Sequence, residues 1–168
     1  MPIVTTIEGR IAQVAIDRPE KRNTLSSELC KDLAREFLEL NDDTRVRSIV
    51  LCGHNNVFCA GLDIEEQLAE NTPIFNEFQK VIDALDALSK PVVAAVSGPA
   101  VSQGAAMLYH CDLVFAGEHA LFSMPGLALG QTPRYGVSLL AVKSGGYKLA
   151  AQKLLLSEPI SAAEAVAM

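Results

Sequence analysis

The fold is decided by residues 90–117, which read KPVVAAVSGPAVSQGAAMLYHCDLVFAG. Two short apolar runs, VVAAVSG and DLVFAG, have the length of buried strands, and the segment GAAMLYHC between them is apolar and long enough for a helix. Two strands joined through a helix favour a parallel pair, because parallel strands need a crossover connection. Ligands of such sheets usually bind at the carboxyl ends of the strands. The stretch therefore predicts an α/β fold with a parallel sheet and a site at that edge.

The sequence before this stretch continues the alternation of strands and helices. Residues 3–6 and 11–16 are rich in strand-forming residues around Glu8-Gly9-Arg10, which predicts a hairpin. The run VRSIVLCG at 46–53 is almost wholly apolar, as expected of a parallel strand covered on both faces. This order of elements predicts a parallel sheet with crossover helices.

Four segments carry helical patterns. Apolar residues recur at helical spacing in 25–43, LSSELCKDLAREFLELNDD, where Ser26 or Ser27 is available as a cap, and again in 73–88. A late helix is predicted in 141–156, with its start blurred by Gly145-Gly146. The last residues, 160–168, carry a capping signal in Ser161 and Glu164. A helix this short is not stable alone, so it docks on the body or the chain continues.

Length and composition indicate one globular domain, residues 1–168. No apolar run approaches the roughly 18 residues of a membrane span, which argues against a membrane protein. The net charge of −6 argues against nucleic acid as a ligand, because phosphate binding needs clustered Lys and Arg. The four cysteines form no CxxC pair, so we expect no metal site and a reducing compartment. The N-terminus shows no secretory signal, and we expect a cytoplasmic protein.

Two glycine-containing turns each follow a predicted strand. The first is FCAGLDI at 58–64, and the second is SGPAVSQGAAM at 97–107. Where a strand leads into a helix, the first helical N–H groups lack partners and can bind an anion or a developing oxyanion. Two such turns side by side would form a hole with two donors. Glycine after a strand is also common in any α/β fold, so spacing alone leaves a purely structural reading open.

Three blocks in order, IDRPEKRNTLS, VRSIVLCGHNNVFCAGLDI and the long run from Lys90 to Pro133, resemble the crotonase superfamily of enoyl-CoA hydratases and isomerases, and the match continues to PISAAEAVAM. The resemblance implies a crotonase-like spiral of ββα units that assembles as a homotrimer or hexamer. It implies an acyl-CoA substrate of fatty acid metabolism and no cofactor, with coenzyme A entering as the substrate's thioester. The thioester oxygen would be held by the backbone N–H groups of Leu62 and Gln103.

The resemblance also implies which residues contact the substrate. Around the first turn these are Ala60, Gly61, Asp63 and Ile64, and in the second turn Gly104. The expected contacts in the later loop, 122–136, are Pro125, Gly126 and Arg134. Lys21 and Arg22 match the region that lines the path of coenzyme A, where basic side chains meet phosphates. For these two residues, a solvated surface turn is an equally good reading.

Three positions depart from the family pattern. The two glutamates that hydrate an enoyl thioester are replaced by Ala106 and Gly126, neither of which can transfer a proton. The acid of the isomerase branch aligns with Arg134, which stays protonated and cannot act as a base. Hydration or isomerisation by the family's usual carboxylates is therefore not expected.

Other side chains are candidate substitutes for the missing acids. Tyr135, beside Arg134, is the preferred proton donor, although packing also explains it. His110 is better explained as a core or interface histidine, His54 as a surface residue and Cys59 as a buried thiol. Glu65 and Glu66 are favoured in the first turn of a helix by its dipole alone.

The sequence therefore predicts an acyl-CoA-binding protein of the hydratase/isomerase family, a lyase or isomerase with non-standard catalytic residues. The alternative is a non-catalytic acyl-CoA-binding or scaffold protein of the same fold, which the three missing acids favour and the well-kept FCAGLDI turn disfavours. Family members usually continue for a further helical section. We expect this chain to lack most of that section, as a truncated or shortened form with an exposed apolar face.

Overall fold

The computed structural model describes residues 2–69 and 71–168, and two β-sheets organise them. In this part of the chain the strands are β1 (Ile3–Glu8), β2 (Ile11–Ile16), β3 (Ser48–Gly53), β4 (Val92–Val96), β5 (Ala100–Val101), β6 (Leu113–Ala116), β7 (Leu121–Ser123) and β8 (Ile160–Ser161). The α-helices are α1 (Ser27–Asp42), α2 (Ile64–Gln67), α3 (Ile74–Asp86), α4 (Gln103–Leu108), α5 (Val137–Leu155) and α6 (Ala162–Val166). The predicted α/β class is confirmed.

The larger sheet has the order β1-β2-β3-β4-β6. The first two strands form the predicted antiparallel hairpin, and every later pair in this sheet is parallel. The quoted stretch supplies β4, the short β5, α4 and β6, so its strand–helix–strand prediction is confirmed. The turn at 97–107 follows β4 directly, and the turn at 58–64 follows the end of β3 after four residues.

Two helices cover one face of the larger sheet. Ser26 caps α1 by accepting a hydrogen bond from Leu29 N at 3.1 Å, and the apolar face of that helix packs on α3. Phe37 and Phe78 are among the side chains fully buried in the shared core. Burying one such side chain stabilises the fold by roughly 1.5–3 kcal/mol.

The opposite face of this sheet is less covered than the sequence predicts. In β3, Ile49 and Leu51 are buried, whereas Val50 and Cys52 remain half-buried. The expectation that both faces of β3 are covered is therefore wrong for this chain, because α1 and α3 lie on one side only. At the sheet edge, all four residues of β6 are exposed.

A smaller sheet, with the order β5-β7-β8, was not predicted. Its strands are only two or three residues long. The predicted cap of the last helix is confirmed, since Ser161 and Glu164 form a capping box at the start of α6. This short helix docks on the body, because Ala162, Ala165 and Met168 pack against the core.

The late helix α5 begins at Val137, four residues before the predicted start, and is broken at Gly146, which adopts φ 75° and ψ 162°. The predicted disturbance at the glycine pair is therefore real, and it interrupts the helix rather than delaying it. Of the helices described, none is both long enough and apolar enough to cross a bilayer.

Candidate active site

Three segments of irregular backbone lie side by side at the carboxyl edge of the sheet. Leu25 N donates to Gly61 O at 2.8 Å, and Asp63 N donates to Leu25 O at 2.8 Å. On the other side of the first turn, Val101 N donates to Cys59 O at 2.9 Å. The first glycine turn is thereby held between the segment before α1 and the segment that enters α4.

The two predicted glycine turns pack directly against each other. A methyl group on Gly104 would lie 2.3 Å from Cys59 O, a contact with backbone that no side-chain movement relieves. Gly61 has φ +96°, and a methyl group on it would lie 3.2 Å from the Ser102 side chain and from Val101 O. Both glycines are therefore required for this close approach, whatever substrate contacts they make.

Leu62 and Gln103, the two predicted oxyanion donors, line the same cavity of about 490 Å³. Gln103 is the first residue of α4, so its N–H has no acceptor within the helix. Throughout the described chain, neither the Leu62 N–H nor the Gln103 N–H donates to another residue. Two residues whose backbone N–H groups have no described acceptor thus line the same cavity. Such a pair of donors suits an oxygen that gains negative charge.

Ser102 adopts a strained backbone conformation immediately before Gln103. Its φ of 53° and ψ of −116° are disfavoured for a residue with a side chain, and its N–H donates to Ser123 O at 2.7 Å. Strain of this kind costs about 1–3 kcal/mol and gathers at functional sites. The serine fixes the direction in which α4 begins, and sequence reasoning did not identify it.

The cavity of about 490 Å³ is called the outer cavity, and charged side chains of both signs line it. Lys21 Nζ lies 3.0 Å from Glu65 Oε2, and hydrogen bonding with that carboxylate raises the pKa of Lys21. Arg22 is exposed and, in the described residues, makes no ion pair. The exposed side chain of Ile64 also lines the cavity. Both basic residues therefore line this cavity together with the Glu65 carboxylate.

The Asp63 carboxylate is bound by groups of the protein itself. Its side chain is 5% exposed, lies 3.1 Å from the Arg18 guanidinium and accepts a hydrogen bond from Glu65 N at 3.1 Å as the N-cap of α2. Arg18 also donates to Thr24 O at 3.1 Å. The predicted contact between Asp63 and substrate stays a prediction, but the geometry gives this carboxylate a structural role first.

Asn23 ties the same segment to the turn after β3. It is fully buried, and its amide nitrogen donates to His54 O at 3.0 Å and to Val57 O at 2.7 Å, while its oxygen accepts from Arg18 N at 2.8 Å. A polar residue within a polar segment carries no sequence signal of burial, so Asn23 and Arg18 were missed as site-building residues.

A second, inner cavity of about 40 Å³ contains all three positions where the family pattern has acids. Ala106, Gly126 and Arg134 line this inner cavity. Its lining also includes Ser102, Gln103 and Gln131, and these three residues line the outer cavity as well. Within the described lining no carboxylate is present. Pro125 borders the outer cavity, and a methyl group on Gly126 would lie 3.2 Å from Gln131 O.

Tyr135 is also part of this inner wall, held by its neighbours. Its hydroxyl donates to Phe75 O at 3.3 Å, and its ring packs edge-on against the Phe78 ring, with the two ring centres 4.8 Å apart. Burial raises the pKa of the phenol to about 12, so it carries its proton at neutral pH. Its predicted role as a proton donor stays a prediction, because its hydroxyl proton is engaged with Phe75 O.

The remaining candidate side chains have structural partners. His110 places Nδ1 at 2.8 Å from an Asp86 carboxylate oxygen and Nε2 at 2.9 Å from Tyr135 O, as expected of a satisfied histidine. Cys59 is fully buried, and burial raises the pKa of its thiol to about 12. Over residues 2–69 and 71–168, no group of three His, Cys, Asp or Glu side chains is placed to hold a metal ion.

Known proteins are similar to this chain in sequence and in fold. The family model for enoyl-CoA hydratase/isomerase matches residues 6–168. The short-chain-enoyl-CoA hydratase of Clostridium acetobutylicum is 33% identical over 98% of this chain and 65% of that protein. The mitochondrial enoyl-CoA hydratase of Pongo abelii is 32% identical over 92% of this chain and 54% of that protein.

The crystal structure of an enoyl-CoA hydratase/isomerase from Pseudoalteromonas atlantica superposes with a TM-score of 0.92, at 32% identity, over 99% of this chain and 66% of that one. The chain thus spans less than two thirds of the length of the two curated relatives. The predicted crotonase-like fold is confirmed. By sequence and by structure, the chain belongs to the enoyl-CoA hydratase/isomerase family of the crotonase superfamily.

Proposed function

We propose that the protein binds an acyl-CoA thioester and stabilises its enolate through the N–H groups of Leu62 and Gln103. The observation that carries this proposal is the pair of unspent backbone donors on one cavity of about 490 Å³. Lys21 and Arg22, which line this cavity, would bind the phosphates of coenzyme A. The thioester carbonyl would then lie between the two turns, with the acyl chain directed toward the inner cavity.

The chemistry follows from what the two donors can do. As an enolate forms, negative charge moves onto the thioester oxygen, and each preaimed donor in such a hole contributes about 2.7–4 kcal/mol to the transition state. No carboxylate stands at Ala106 or Gly126 to move the proton that hydration requires. The proposed reaction is therefore a lyase or isomerase step that does not use the two-glutamate route.

Binding and turnover separate this proposal from its rival. We expect acetoacetyl-CoA, whose enolate is readily formed, to bind more tightly than butyryl-CoA in calorimetric titrations. Crotonyl-CoA, a 3-enoyl-CoA and malonyl-CoA then test hydration, isomerisation and loss of CO₂. The last of these forms an enolate by breaking a C–C bond, so it needs no side-chain base. The absence of any binding to these thioesters would refute the proposal.

The second candidate is a non-catalytic acyl-CoA-binding or scaffold protein. It is favoured by Ala106, Gly126 and Arg134, which remove proton-transfer groups from three positions of one cavity. This candidate predicts tight binding of the same thioesters with turnover of none. It also predicts no preference for acetoacetyl-CoA over butyryl-CoA, because an oxyanion hole that is not used need not remain complementary to an enolate.

We further propose that the protein assembles as a homotrimer or hexamer in the cytoplasm. Exposed apolar side chains on β6, including Leu113 and Phe115, support an assembly because they form an uncovered sheet edge. The buried, unpaired thiols of Cys30 and Cys59 suit a reducing compartment. Light scattering after size exclusion, and fractionation of cells that express the protein, test the two statements. A monomer, or a protein recovered outside the cytoplasm, would contradict them.

A further inference from the structure

The inner cavity has the character of an anion site. Its polar lining consists of Ser102, Gln103, Gln131, Thr132 and the Arg134 guanidinium, together with Tyr135. Acidic side chains are absent from this lining as described, although the protein as a whole has a net charge of −6. The single cation among the described residues of this lining, Arg134, is exposed, and no carboxylate of the lining compensates its charge.

The Arg134 side chain contacts an aromatic ring and uses none of its hydrogen-bond donors within the described residues. Its guanidinium carbon lies 4.7 Å from the centre of the Phe75 ring, a cation–π contact that orients the planar group. No hydrogen bond or ion pair joins its side chain to another described residue, whereas the Arg18 and Arg45 guanidinium groups each lie within 3.1 Å of a carboxylate. The guanidinium fork remains available, and it matches a carboxylate in a bidentate manner.

The position of Arg134 distinguishes the acyl end of a substrate from its nucleotide end. Lys21 and Arg22 line the outer cavity but not the inner one, and Arg134 lines the inner cavity but not the outer one. The two spaces share Ser102, Gln103 and Gln131. A thioester held at Gln103 therefore has its nucleotide phosphates near the outer basic residues and its acyl end near Arg134.

We propose that Arg134 selects CoA thioesters whose acyl group ends in a carboxylate. This inference rests on the proposed binding of acyl-CoA at the same site. The cavity of about 40 Å³ exceeds the roughly 10–15 Å³ that one water needs, so a small polar group has room beside Arg134. The missing acids at Ala106 and Gly126 leave such a group without a charge to repel it.

The test compares thioesters that differ in the terminal group. Affinities of butyryl-CoA, succinyl-CoA and glutaryl-CoA are measured by calorimetry for the protein and for Arg134→Gln, Arg134→Lys and Arg22→Gln. For the unmodified protein we expect at least one dicarboxylic thioester to bind about 10- to 100-fold more tightly than butyryl-CoA, as a charge-assisted hydrogen bond allows. Arg134→Gln brings that ratio to about one, and Arg134→Lys keeps part of it.

Arg22→Gln is the matched control, because it removes a cation from the outer cavity only. We expect it to weaken all three thioesters equally and to leave their ratio unchanged. Equal affinity of the unmodified protein for butyryl-CoA and both dicarboxylic thioesters would overturn the selectivity alone, and so would a preference that survives Arg134→Gln. Failure of every thioester to bind would overturn the proposed function as well.

Discussion

The two walls of the site are built in different ways. The wall formed by the turns at 58–64 and 97–107 is mostly buried, and its backbones approach so closely that a methyl group on Gly104 would lie 2.3 Å from Cys59 O. The facing loop, 122–136, is largely exposed and bonds mainly to itself, as in the hydrogen bond from Gln131 N to Gly126 O at 2.8 Å. Backbone donors depend on the packing of the whole fold, whereas side-chain acids on a loop can be exchanged one residue at a time. This chain keeps the closely packed turns of the first wall, and it departs from its family in side chains, at Ala106 on that wall and at Gly126 and Arg134 on the loop.

The strongest test of the buried wall is Gly104→Ala. The added methyl group would lie 2.3 Å from Cys59 O, so the two turns must separate. We expect the free energy of unfolding to fall by about 3 kcal/mol, as in severe overpacking, and CoA thioester binding to be lost. Denaturant unfolding and calorimetry measure the two effects. Gly117→Ala is the control, because its methyl group would meet other atoms only at 3.8 Å or beyond. Similar behaviour of the two variants would contradict the described packing.

The next largest effect concerns the ion pair that fastens the first turn. Asp63→Ala removes the nearer of the two carboxylates of the partly buried Arg18 guanidinium, since Glu20 lies 3.8 Å away, and it removes the cap of α2. We expect a loss of about 2 kcal/mol in stability, close to the cost of an unsatisfied charged partner. Thermal unfolding gives the number. Glu65→Ala removes an exposed pair with Lys21 instead, and we expect no measurable loss there. A cost for Glu65→Ala as large as that for Asp63→Ala would show that the first turn is not fastened from within.

On the loop wall, Gly130→Ala separates conformational strain from packing. Gly130 has φ +70°, but a methyl group on it meets nothing within 4 Å. We expect a loss of only about 1 kcal/mol, from the left-handed backbone alone. Urea titration of this variant beside Gly104→Ala compares the two walls directly. A loss for Gly130→Ala equal to that for Gly104→Ala would remove the contrast between them.

The smallest effect concerns the anchor of the loop wall, where β8 pairs with β7. Lys153 Nζ lies 2.8 Å from a Glu164 carboxylate oxygen, and this hydrogen bond with the capping box lowers the pKa of Glu164 from 4.5 to about 2. A carboxyl group with a lowered folded-state pKa stabilises the protein above its unfolded pKa. That stabilisation disappears as the pH falls from about 4.5 toward 2.

Glu164→Gln should therefore cost some stability at neutral pH and remove part of the decline in acid. Melting temperatures at pH 7 and at pH 3 measure both changes. If the difference between the variant and the parent protein is the same at the two pH values, the carboxylate does not act through its charge.

The elements that could be predicted are the long and periodic ones. The apolar stripe of α1 and the apolar run of β3 each predict one type of element, because many residues of the segment fit the same pattern. The sheet of β5, β7 and β8 carries no such signal, since strands of two or three residues show no period. Its existence depends on long-range pairing that no local pattern encodes.

The site divides in the same way. Leu62 and Gln103 were predicted as donors because their turns lie in blocks that resemble a family, and both residues line one cavity of the structure. Ser102 and Asn23 were not identified. A strained serine and a buried asparagine look like ordinary polar residues until the surrounding backbone is known.

The position of Gly126, where the family pattern has a glutamate, does not leave free room for a side chain. It has ordinary helical angles, so its backbone alone does not exclude a side chain, yet a methyl group there would lie only 3.2 Å from Gln131 O. A glutamate at 126 therefore requires Gln131 O to move by a few tenths of an ångström. Because Ala106 also lacks a carboxylate, that single substitution would still leave the site with one acid rather than two.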